Sequence, residues 1–183
     1  MRAFVLAASA AALTATLPAS AAVLTIGGSF AEGCYKFAES RTATYDAVQT
    51  CDRAFAEQAL SSDDELATYV NRGIIRMFRS DFGNSSADFD HAIAMDPKRA
   101  EPWLNKAILH FRQGDSAGAI PLFNKAIELS SEHAEVAYYG RALANEDMGN
   151  LKAAYLDLKQ AQMLRPGWDA PTRDLARYKV QSK

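Results

Sequence analysis

Two stretches, FDHAIAMDPKRAEPWLNKAI (residues 89–108) and FNKAIELSSEHAEVAYYGRAL (residues 123–143), are written on nearly the same plan. Each sets a large aromatic, Phe89 or Phe123, three residues before an alanine, Ala92 or Ala126, then breaks and restarts on Ala-Glu. Working outward, Leu158 stands three residues before Ala161, and Pro97, Ser131 and Pro166 follow the three alanines by five. Upstream, Tyr69, Trp103 and Tyr138 fall four residues before Gly73, Ala107 and Ala142. Successive units are offset by 34 and then 35 residues, a self-similarity that marks a helical array. Between short polar breaks, apolar residues recur at helical rather than alternating spacing.

These residues resemble the tetratricopeptide repeat, a helix–turn–helix with an aromatic at its fourth position and small residues at the eighth, twentieth and twenty-seventh. A large residue stands at its twenty-fourth position and proline at its thirty-second. Three units align in this register: 66–99, 100–133 and 135–168. Their inner turns fall at Ser80-Asp81, Gly114-Asp115 and Gly149-Asn150, and Ser85, Ala119 and Ala154 take the twentieth position. The eleventh position, usually tyrosine, departs as Arg76, His110 and Asn145, and Ser131 replaces one proline. The resemblance implies an all-α fold, a right-handed superhelical solenoid of helix–turn–helix repeats closed by a C-terminal capping helix and tail at 169–183. The physics agrees. Closely crossing helices leave room only for glycine, alanine or serine, and the large twenty-fourth residue fills the space so created. Asp96-Pro97 stops a helix, because the residue before proline is pushed out of the helical region. Ser62 to Glu65 read as a capping box. One repeat cannot bury its own apolar face, so the next copy covers it.

Residues 22–65 read as a degenerate first repeat, with Ala47, Cys51 and Ala54 at its twentieth, twenty-fourth and twenty-seventh positions. Counting back places Cys34 at the seventh, facing Cys51, so a Cys34–Cys51 bridge is expected in preference to two separate buried thiols. Residues 1–21 read as a secretory signal peptide: Arg2, an apolar run from Ala3 to Leu17, and small residues Ala19-Ser20-Ala21 for cleavage. The alternative is an uncleaved anchor. Export to the periplasm or beyond is the expectation, and an oxidising compartment suits the paired cysteines. DAPTRDLARYKVQSK, from Asp169, reads as one final helix with Leu175 and Ala176 inward.

A formal net charge of −2 leaves no electrostatic footprint for nucleic acid or an anionic membrane. His91, His110 and His133 form no HExxH pair, and neither a nucleophile-elbow nor a phosphate-cradling motif occurs. The reading is therefore non-catalytic, with no metal or cofactor. In the resembled family the stacked first helices line a concave groove that binds a protein or peptide segment. The matching residues here are Asn71, Ile74, Phe78, Leu104, Asn105, Ile108, Arg112, Tyr139 and Leu143. Asn71 and Asn105, one repeat apart, would donate to and accept from a peptide backbone. An adaptor is the leading expectation; an envelope protein that assembles through its end helices is the alternative.

Overall fold

The computed structural model describes residues 3–6, 22, 29–129 and 133–181. Helix pairs form because each segment carries its apolar residues on one stripe and ends on a residue that breaks the ladder. In chain order these are α1 (Ser29–Glu39) and α2 (Tyr45–Glu57), α3 (Ser62–Phe78) and α4 (Phe82–Met95), and α5 (Ala100–Arg112) and α6 (Ser116–Glu128). They are followed by α7 (Ala134–Asp147), α8 (Leu151–Leu164) and the short α9 (Asp169–Leu175). Partners within a pair pack on each other, each second helix packs on the first helix of the next pair, and α3, α5 and α7 touch in sequence. The protein is an all-helical solenoid in which neighbours, not a central nucleus, cover the apolar faces.

The turns inside the pairs share one conformation. Ser80, Gly114 and Gly149 take the left-handed backbone at φ 63°, 79° and 75°, and Arg41 does the same at φ 56°. This corrects the register of the first pair. Ser80, Gly114 and Gly149 lie seven residues beyond Gly73, Ala107 and Ala142, and Arg41 lies seven beyond Cys34. Cys34 therefore occupies the eighth position, that of the small residue, and the first turn is one residue longer than the others. The Cys34 and Cys51 sulfurs are joined, with Cα atoms 4.9 Å apart. In the next pair the same site is a small residue nested against a large one, Gly73 with Phe89, and the equivalent residues Ala107, Phe123, Ala142 and Leu158 of the later pairs are likewise buried.

Two other expectations shift. The cap of α3 is Ser61, not Ser62: its hydroxyl accepts from the Asp64 amide at 3.1 Å and donates to the Asp64 carboxylate at 2.8 Å. Of the expected capping helix and tail over 169–183, the helix ends at Leu175 and the tail is not frayed throughout: Tyr178–Gln181 forms a strand, β2, antiparallel to β1 (Ala3–Leu6). The Arg177 guanidinium grips the Glu146 carboxylate through two hydrogen bonds of 2.7 and 2.8 Å, and Tyr178 is buried beside Tyr155. Those contacts hold the end of the chain against α7 and α8. The expected signal peptide falls, apart from Ala3–Leu6, outside the described residues. Among the described residues no helix is long and apolar enough to cross a membrane.

The far end of the array is closed by polar contacts. Tyr139, nearly fully buried under Trp168, donates its hydroxyl to the buried Asp174 at 2.7 Å. Burial, then the bond to Asp174, raises the pKa of Tyr139; burial, then the nearby Glu146 charge, pushes Tyr178 up to about 12. Both groups stay protonated in the folded chain after an unfolded tyrosine, near 10.0, has ionised, so their stabilisation is complete below that pH and fades above it. Urea melts should show stability falling as pH rises from about 10 to about 12, and less steeply in a Tyr139→Phe, Tyr178→Phe double variant.

Packing gives a second test. A Cβ on Gly73 would sit 2.5 Å from the Phe89 ring, whereas one on Gly83 meets nothing within 4 Å. Gly73→Val should cost about 1–3 kcal/mol by overpacking. Gly83→Ala, in an open helical position, should add roughly 0.5–1 kcal/mol. Thermal melts of the two variants check both signs.

Candidate protein-interaction surface

The first helices of the pairs were expected to present nine side chains to a groove. The structure sorts them. Asn71, Ile74, Leu104 and Asn105 are fully buried, Ile108 and Tyr139 are 2% exposed, and Leu143 is 8% exposed. Only Phe78, half-buried, and Arg112, exposed, reach the surface, both at the last turn of their helices. The other seven depart from the expected open floor. Helices α3, α5 and α7 lie against one another, and side chains facing that contact are enclosed. The Asn105 amide donates to the Glu101 carbonyl at 3.0 Å, a bond within its own helix rather than outward.

Sequence reasoning missed a repeating ionic ladder. The seventh residue of each full unit is a cation: Arg72, Lys106 and Arg141. Each reaches back to the preceding unit's second helix, Arg72 to Asp52 at 2.6 Å, Lys106 to Asp90, and Arg141 to Asn124 at 2.7 Å. Arg72 and Arg141 also clamp an aspartate of their own unit with two bonds each, Asp88 at 2.7 and 3.1 Å and Asp157 at 2.7 and 2.9 Å. Burial opposes the charge on Arg72, but its bonds to Asp88 and Asp52 outweigh it and its pKa is raised.

The ladder explains the departures from tyrosine at the eleventh position. Arg76 donates to Asp88 at 2.7 Å and Asn145 to Asp157 at 3.4 Å, so each serves the buried aspartate of its own unit. The middle unit has Leu122 where the others have that aspartate, and its His110 turns instead to Asp115 at 2.8 Å. That bond, then the Gly118 amide, holds the exposed Asp115 carboxyl below its usual range. The signal was present in the sequence as a cation sixteen residues before an aspartate, but nothing local distinguishes it from a solvated surface pair.

Three arginines gather at the turn-side end of α3. The Arg112 guanidinium stands over the Phe78 ring at 4.8 Å from its centre, and Arg41 at 5.9 Å. Arg79 donates to the Ala43 carbonyl at 3.2 Å, tying down the loop that carries Arg41. Among the described residues no group of three His, Cys, Asp or Glu side chains is placed to hold a metal ion.

Comparison with known proteins agrees with this architecture. Residues 100–133 and 136–167 match the tetratricopeptide repeat, so the chain carries tetratricopeptide repeats across its second and third full units. It is 38% identical over 69 residues to tetratricopeptide repeat protein 36 homolog of Nematostella vectensis, covering 38% of either chain. It is 33% identical over 76 residues to protein FlbA of Caulobacter vibrioides, covering 42% of this chain and 12% of that one. The chain thus spans well under half the length of these relatives. Among solved structures, PilW, a widely conserved type IV pilus biogenesis factor, superimposes with a TM-score of 0.66 at 18% identity. The match covers 80% of this chain and 65% of PilW, and it speaks to the fold alone.

The ladder makes a graded prediction. Asp88 is 1% exposed and serves two arginines, so Asp88→Ala should destabilise by about 3–5 kcal/mol by leaving buried charge unpaired. Asp90 lies largely in water, and Asp90→Ala should cost less than about 1 kcal/mol. Chemical denaturation of the two variants separates them.

Proposed function

We propose that this chain is an exported, non-catalytic adaptor that holds a segment of a partner protein along the end of its first-helix face, over Phe78 and Arg112. The observation that carries this reading is the enclosure of the other seven face residues, which leaves these two as the accessible contacts beside an aromatic ring already stacked by cations. Tetratricopeptide arrays serve as protein-interaction scaffolds, which supports a binding role.

Export is part of the proposal. The apolar leader and the joined cysteines both suit an oxidising compartment, where a bridge closing the terminal pair contributes roughly 3 kcal/mol. Intact-mass measurement on protein recovered from the envelope should show a chain lacking residues 1–21 and resistant to alkylation until reduced. A thiol alkylated without reductant would remove the bridge.

For the docking face, a photo-crosslinking residue replacing Phe78 should give a discrete protein adduct in intact cells, and the same residue replacing Met95 should not. Equal labelling from both positions would overturn the face.

A second reading, assembly with copies of itself, is favoured by one observation. Leu156 and Met163, seven residues apart on α8, are 55% and 65% exposed, and Leu164 lies beside them. Sedimentation over a concentration series decides: a single monomeric species throughout removes it.

A further inference from the structure

Arg41, Phe78 and Arg112 come from three different helix pairs and meet at one point. Each cation is attracted to the electron-rich face of the ring. The guanidiniums also repel each other: loss of hydration, then the charge of Arg41, lowers the pKa of Arg112. By contrast, Arg72, Arg76, Arg141 and Arg177 all rest on carboxylates. Among the described residues Arg41 and Arg112 touch no carboxylate. The backbone also works to present Arg41. It sits at a left-handed turn position where the second and third full units use Gly114 and Gly149, and Arg79 pins the following loop. A long side chain there is held above the ring by its neighbours despite a backbone that costs it about 1 kcal/mol.

We propose that Arg41 and Arg112, seated on Phe78, recognise the carboxylates of an acidic segment in the partner protein. This rests on the reading that a partner segment docks over Phe78. It adds that segment's chemistry and its polarity. The equivalent last-turn position of α7 is Asp147, exposed and accepting from Ser116 at 2.6 Å, so the face changes sign along the array. The acidic part of the partner lies over α3 and α5 and is repelled from α7. A chain of net charge −2 disfavours extended polyanions, which leaves a short acidic protein segment as the ligand that fits two cations and one ring.

The test uses the full chain and two labelled heptapeptides, one alternating leucine with pairs of glutamates and its twin with glutamines. Fluorescence anisotropy at low salt should show the glutamate peptide bound about tenfold more tightly. That preference should shrink toward nothing near roughly 1 M salt, where screening is short-ranged. Arg41→Gln or Arg112→Gln should each remove part of the preference, and the double variant all of it. Both side chains are exposed, so thermal melts should match wild type. Equal binding of the twins, binding of neither, a preference that survives the double variant, or equal binding of a labelled thymidine oligonucleotide overturns the proposal. The twins bound equally would leave the docking face standing. A preserved glutamate preference with no crosslink at Phe78 would remove the docking face and keep the acidic site.

Discussion

A large side chain at the twenty-fourth position of each unit, seated on a small one at the eighth, is the contact on which the array depends. Phe89 fills the space left by Gly73, and Phe123 with Ala107 and Leu158 with Ala142 are buried at the equivalent positions. The ring faces the next unit as well: a Cβ on Gly140 would stand 2.4 Å from Phe123. One interaction therefore sets the spacing inside a pair and between pairs. A terminal unit has a neighbour on one side only and needs another source of order. The first pair puts a covalent link between Cys34 and Cys51 at the same two positions. The last closes through Tyr139 on Asp174 and Arg177 on Glu146.

Close nesting leaves no room for polar groups at the crossing, so the charged residues work at its margin. The seventh-position cations bridge adjacent units, and the buried aspartates they hold are shared with eleventh-position side chains in the first and third full units. Buried ion pairs add little net stability over apolar packing, yet they penalise any arrangement that separates them. The buried pairs therefore select how the two helices of a unit meet more than they strengthen that contact. Arg41 and Arg112 stand apart from this scheme because their only described partner is a ring, and the same physics that fixes Arg72 leaves them available.

The repeat period, the three full units, the helix breaks and the small–large positions were legible from the residues, because an array folds through contacts whose sequence separation is nearly constant. The residues that departed from the pattern were harder to read. Arg76, His110 and Asn145 looked like lapses at a tyrosine position. They make sense only beside Asp88, Asp115 and Asp157, which local pattern does not connect to them.

By itself the amino-acid sequence determined the helix–turn–helix array, since periodic spacing and near-neighbour packing decide it. Only the tertiary structure decided which face residues stay accessible, that Cys34 takes the small-residue position, that the chain after Leu175 leaves the helix, and that Arg41 joins Arg112 on Phe78. Each of these turns on how far one helix pair is rotated onto the next and on a single extra residue in a turn. Those quantities accumulate along the array and leave no mark in any one repeat.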